Sequence, residues 1–308
     1  MTARFPIHGF AGALIVLAAE IFLFAGLDAV RAFFTPIVWT GYILLVDGAV
    51  FALTGRSQLS ADRAEFARTA LLSIPIWLVF EAYNLRLKNW AYVGLPGDAA
   101  LRLLGYGWSF ATILPGLFET SDLLLALGFG RDARAAPASA PAIAPAAGAR
   151  FVDGADDGLG SPGTRVALVT FGGLCLLLPL VALPLVAPYL FGLVWIGFLF
   201  VLDPINASLG RWAPFAEWAR GRRRRFVSLL AGGLACGVLW EFWNYWADAR
   251  WIYTFPILQE WKLFEMPLPG FLGFPPFAVE CFLMYELIST AWRGGWGRGR
   301  RSLSTLAG

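Results

Sequence analysis

The chain has 308 residues, 58% hydrophobic and 15% charged, with a net charge of +3 and a mean hydropathy of +0.64. Soluble domains carry about 25% charged residues, so this composition excludes an ordinary soluble fold and points to an integral membrane protein. One histidine and three scattered cysteines exclude a bis-histidine haem or a multi-histidine zinc site within the chain. With no P-loop and no GxGxxG motif followed by an acid, nucleotide chemistry has no support, and neither metal nor cofactor is expected.

In chain order, apolar runs near the roughly 20 residues needed to cross a bilayer predict eight spans, over about 10–28, 35–54, 68–84, 106–127, 166–186, 190–209, 226–246 and 270–291. The first follows Arg4 and Pro6. It is too long for a signal-peptide core and no convincing cleavage site follows, so it reads as a helix. The fold class expected is all-α, a polytopic helix bundle of two parallel tandem four-helix repeats over 1–128 and 166–308. Between them, 129–165 is rich in Ala, Pro and Gly and reads as a flexible linker.

Eight spans put both termini on one side. The loops of that side hold 18 of the 24 basic residues; the other side holds Arg31, Arg86, Lys88, Arg102, Arg250 and Lys262. By the positive-inside rule both termini are cytoplasmic, and the cell membrane is the expected location. The run Arg222–Arg225 reads as a topology anchor at a helix end, and no nucleic-acid partner is expected.

An internal repeat underlies this layout. Val38-Trp39-Thr40-Gly41 matches Val194-Trp195-Ile196-Gly197, Asp47 matches Asp203, and Gly55-Arg56 matches Gly210-Arg211. Glu81 and Asn84 match Glu241 and Asn244; Trp90 and Tyr92 match Trp251 and Tyr253; Pro115 and Glu119 match Pro276 and Glu280. Glu and Asn three residues apart share a helix face.

Carboxylates at bilayer depth cost several kcal/mol unless paired or hydrated. The candidate catalytic groups are therefore the recurring acids Asp47, Glu81, Glu119, Asp203, Glu241 and Glu280, with Glu20 and Glu286 ranked below them because they lack partners in the repeat. Carboxyl groups in contrasting environments can supply an acid and a base from one residue type. Asn84, Trp90, Tyr92, Trp240, Trp243, Asn244, Trp251 and Tyr253 are the candidate substrate-binding residues, because indole faces beside carboxylates suit a cationic intermediate or an apolar substrate. The structural alternatives are interfacial salt bridges from Glu81 to Arg86 and from Glu241 to Arg250, and helix-end caps at Asp47 and Asp203. For single Trp and Tyr residues the alternative is the interfacial belt.

The order of parts in each half is a span ending in Asp, a span carrying Glu81 or Glu241, then Trp-x-Tyr, then a span opening with Pro and Glu. It resembles the repeated unit of the membrane lycopene cyclases, the carotenoid-cyclising enzymes of bacteria, archaea and fungi. The likeness covers about three spans per half. Where that family has Pro-x-Glu-Glu, this chain has Pro-x-x-x-Glu; where the family has an Asp after Trp, it has Glu81 after Phe80 and Glu241 after Trp240. The resemblance implies non-redox chemistry. A protonated Glu would donate to an isoprenoid double bond, aromatic faces would hold the carbocation, and a second carboxylate would remove a proton.

Three readings stand side by side. The first is a non-redox membrane enzyme acting on an isoprenoid or other lipid by cyclase-like acid–base chemistry. The second is a proton-coupled transporter, which buried acids in parallel repeats also suit. The third is a non-catalytic subunit with a membrane-protein partner.

Overall fold

The computed structural model describes residues 4–130, 159 and 161–292. Most of the expected 129–165 linker and the arginines after 292 lie outside the described residues. The described chain is mostly helical, and seven of its helical segments are long and apolar enough to cross a membrane: Ile7–Phe24, Asp28–Thr54, Arg63–Leu87, Pro162–Val181, Ala187–Ser208, Arg224–Trp246 and Leu268–Ser289.

Helices α1 (Ile7–Phe24) and α2 (Asp28–Thr54) form the first hairpin. They cross with backbones almost touching: a Cβ at Gly12 would lie 2.4 Å from the Leu45 amide nitrogen. Pro36 cannot donate to, and crowds, the carbonyl four residues back, and α2 kinks beside it at Phe33 (φ −119°). A single turn, α3 (Gln58–Ala61), follows behind a Ser57/Ser60 capping box. Asp62 then caps α4 (Arg63–Leu87) by accepting from the Glu65 amide at 2.9 Å. After strand β1 (Trp90–Val93), Asp98 caps α5 (Ala99–Ala111), which leads into α6 (Ile113–Ala126).

The remaining chain runs through α7 (Pro162–Val181), capped by Ser161, a 3₁₀ turn over Ala187–Leu190, α8 (Phe191–Ser208) and the short α9 (Pro214–Ala219). Then come α10 (Arg224–Trp246), strand β2 (Arg250–Tyr253), a small β3–β4 hairpin (Lys262–Leu263 with Met266–Pro267), a 3₁₀ turn over Leu268–Gly273 and α11 (Phe274–Trp292).

Two features differ from the sequence expectation. The stretch 106–127 is not one helix, because it divides at Thr112 into α5 and α6, neither of which reaches 18 residues. Pro115 is the physical cause: its ring crowds the Ala111 carbonyl, and the Thr112 amide falls back to a tighter bond with Ser109. The bundle also contains strands. The Trp-x-Tyr segments, which fall between the spans of the expected all-α bundle, are β1 and β2, and they pair with each other antiparallel.

Along α1, Ile7, Phe10, Leu14, Leu17, Ile21 and Phe24 are each more than half exposed. Spaced by three or four, they form one outward apolar stripe, which suits hydrocarbon and not water. The core lies where the two halves of the chain meet. Trp39 of α2, fully buried, packs its ring 5.0 Å from Trp240 and 5.2 Å from Trp243 of α10, while Phe80 of α4 stacks on Trp195 of α8 at 5.1 Å.

Candidate functional site in the central aromatic cavity

Glu81 stands in the penultimate turn of α4, and one of its oxygens collects three donors. Oε1 accepts from the Trp77 indole at 2.9 Å, the Trp90 indole at 3.2 Å and the Tyr92 hydroxyl. Trp77 reaches it along the helix at i,i+4. Trp90 and Tyr92 reach it from β1, where alternate residues share a face. Asn84 fixes that strand: its Oδ1 accepts from the Asn89 and Trp90 amides and its Nδ2 donates to the Trp90 carbonyl at 2.9 Å.

Glu241 of α10 is built alike and is fully buried. Its Oε1 accepts from the Tyr253 hydroxyl at 2.8 Å and the Trp251 indole at 3.3 Å. Asn244 holds Trp251 with a 2.9 Å bond in each direction. Arg86 does not pair with Glu81; it donates to the Leu180 and Ala182 carbonyls of the α7 terminus. Arg250 pairs with Glu265 at 3.6 Å, so neither site glutamate is an interfacial salt bridge. Burial, and then the facing Glu81 carboxylate, hold the Tyr92 phenol well above its ordinary value; burial and Glu241 do the same for Tyr253. Both hydroxyls therefore stay protonated and act as donors.

The β1–β2 ladder brings the clusters together. Trp90 pairs with Tyr253 and Tyr92 with Trp251, so the two motifs cross head to tail. Beside the ladder lies a cavity of about 160 Å³. Trp77, Trp90, Tyr92, Trp240, Trp251 and Tyr253 contribute to its wall. The carboxyl groups of Glu81 and Glu241 stand behind that wall, joined to it through the Tyr and Trp donors.

The other expected site residues lie elsewhere. Asn84 and Asn244 brace the strands and are not in the lining. Trp243 turns away, donating from its indole to Glu20 at 3.1 Å. Asp47 accepts from the Ser57 hydroxyl at 2.8 Å and the Leu59 amide at 3.0 Å, tying down α3; Asp203 accepts from the Phe215 amide at 2.8 Å in α9. Each therefore anchors the short helix that follows its span. His8 Nε2 lies 2.8 Å from Asp47 Oδ1, off hydrogen-bond alignment. Glu280 is fully buried and accepts from the Leu199 amide at 3.2 Å.

Glu119 is fully buried and neither of its oxygens has a hydrogen-bond donor among the described residues, although its carboxyl faces that of Asp47. Glu119→Gln keeps the volume and adds an N–H that can reach Asp47. It is expected to change unfolding stability by less than about 1 kcal/mol, or to raise it. A thermal melt in detergent checks this, and a large loss of stability would show that the acid itself is needed.

Sequence reasoning missed Trp77, Trp195, Tyr106, Phe277, Arg102 and Arg250, all of which line the cavity. Trp77 carried a signal, its i,i+4 spacing to Glu81. Its counterpart by the repeat offset is Gly237, so a search for recurring residues passes over it; a Cβ at Gly237 would run into the Phe274 ring, which fills the space instead. In comparisons with protein-family models, curated proteins and solved structures, nothing matches this chain.

Proposed function

We propose that this is a multi-pass protein of the cell membrane that binds an apolar, unsaturated lipid of the isoprenoid type in the central cavity and rearranges it by proton transfer. In this reading the broken α5–α6 segment completes eight crossings, and residues 1–128 and 166–308 are parallel repeats joined at 129–165. Both termini face the cytoplasm. The observation that carries the proposal is the pair of carboxylate–indole–phenol clusters, Glu81 with Tyr92 and Glu241 with Tyr253, whose phenols and indoles stand in the wall of one aromatic-rich cavity with the carboxyl groups behind them.

The reaction is non-redox. A proton added to one carbon of a double bond leaves a cation on its neighbour, which the indole faces stabilise. Loss of a different proton, with or without closure of a ring, restores neutrality. Tyr92 and Tyr253 are the hydroxyls that meet the ligand. One carboxyl starts protonated and supplies the proton through its tyrosine, the phenol passing its hydrogen to carbon as it takes the carboxyl's. The other carboxylate takes up the released proton through its own tyrosine, and proton exchange between turnovers resets the pair. General acid–base groups contribute about 10²- to 10⁴-fold in rate. Glu241→Gln and Tyr253→Phe are therefore each expected to lower turnover of the lipid that co-purifies with the protein by about 10²-fold or more, with binding kept within severalfold. Full turnover by folded single variants and by the Glu81→Gln/Glu241→Gln double variant would overturn the assignment.

A further inference from the structure

The residues lining the cavity include two charged ones, Arg102 and Arg250, and no acid. Arg102 lies one turn before Tyr106, whose ring sits 5.2 Å from that of Tyr92, the donor to Glu81. Its guanidinium has a single long bond, to the Pro96 carbonyl at 3.4 Å, and no carboxylate partner among the described residues. Arg250 immediately precedes Trp251, the donor to Glu241. It gives one hydrogen bond to the Tyr245 carbonyl at 3.2 Å, and its Nε is ion-paired with Glu265 at 3.6 Å, beyond hydrogen-bond length, so that buried nitrogen has no hydrogen-bond acceptor among the described residues. The Thr35 hydroxyl, also in the lining, is buried without a hydrogen-bond partner among the described residues.

An arginine with open donors on the wall of a largely apolar, aromatic-rich cavity is a ready oxyanion receptor, because its planar fork matches phosphate and carboxylate. A neutral hydrocarbon would leave the buried Arg250 Nε and the Thr35 hydroxyl unanswered. Arg31 contributes no further cation, since it is held by Asp248 at 2.8 and 2.9 Å.

We infer that the ligand is an amphiphile: a phosphate or similar oxyanion head held by Arg102 and Arg250, with its unsaturated tail among the tryptophans. This rests on the cavity reading above and adds to it the class of head group, which the aromatic wall alone does not specify.

The test measures binding to the full chain in detergent by tryptophan fluorescence, using farnesyl phosphate, farnesol and inorganic phosphate. Farnesyl phosphate is expected to bind at least tenfold more tightly than farnesol. That ratio should fall to near one in the Arg102→Gln/Arg250→Gln variant, and inorganic phosphate alone should bind far more weakly than farnesyl phosphate. Arg102→Gln breaks only the long Pro96 contact, so it carries the test if the Arg250 substitution harms folding, and Arg102→Lys should recover part of the ratio by restoring charge. If farnesol binds as tightly as farnesyl phosphate, or the ratio survives in the arginine variants, the head-group inference fails and the cavity reading stands. Tight binding of inorganic phosphate alone would mean a free-anion site and would also overturn the inference. If neither isoprenoid binds, both fail.

Discussion

Asp122→Asn is expected to lower the stability of the protein by about 3–5 kcal/mol, the cost of stranding a buried charge. Asp122 of α6 is 4% exposed and receives the Arg225 guanidinium of α10 on Oδ1 and the Gln58 amide on Oδ2 at 2.9 Å. Arg225 is itself largely buried, with its guanidinium 4.7 Å over the Phe282 ring. The asparagine keeps the shape and removes the charge, so the guanidinium remains in place without its counter-ion. The midpoint of a thermal melt should fall by on the order of 10 °C. Replacing the pair together, Asp122→Leu with Arg225→Met, removes both charges and should recover most of the loss, because a buried pair contributes little net stability over an apolar one. A single variant that melts within 2 °C of the parent would show that the pair does not join α6 to α10.

Gly94→Ala is expected to be comparably damaging, and its damage should centre on the cavity. Gly94 follows β1 with φ +67°, and an added Cβ would sit 2.0 Å from the Asp248 carbonyl oxygen and 2.8 Å from its carbon. A left-handed alanine costs about 1–2 kcal/mol, and overlap with backbone adds about 1–3 kcal/mol. The cheapest relief is to move β1 away from β2, which pulls Trp90 and Tyr92 from Glu81 and Trp251 and Tyr253 from Glu241. The expected readouts are a red-shifted tryptophan emission and lost lipid binding. Gly97→Ala is the control, because nothing lies within 4 Å of a Cβ there. If Gly94→Ala binds lipid as the parent does, the ladder is not what holds the cavity together.

How far the sequence could be read depended on the range of each contact. The spans were legible because bilayer length is written in consecutive residues. The Glu81–Asn84 and Glu241–Asn244 pairs were legible because i,i+3 spacing is local and recurs. The sequence also contained Trp90, Tyr92, Trp251 and Tyr253 as motifs, yet not as strands: four residues make too short an alternation, and each strand's partner lies about 160 residues away. The break at Thr112 was signalled by Pro115 while hydropathy ran on unbroken across it. Arg102 looked like an ordinary loop cation, since only the packing of α5 beside β1 brings it to the cavity.

The ladder also sets an order of events in synthesis. β1 has no strand to pair with until Arg250–Tyr253 has left the ribosome. At about 5–20 residues per second, the intervening stretch of roughly 160 residues takes about 8–30 s to make. Over that interval the first half of the chain waits with an open strand edge and with Trp90 and Tyr92 lacking the strand they will face, the kind of surface that recruits wrong partners. A chain interrupted before β2 would carry Glu81 and its donors and still possess no cavity, and two such chains could pair their β1 edges with each other.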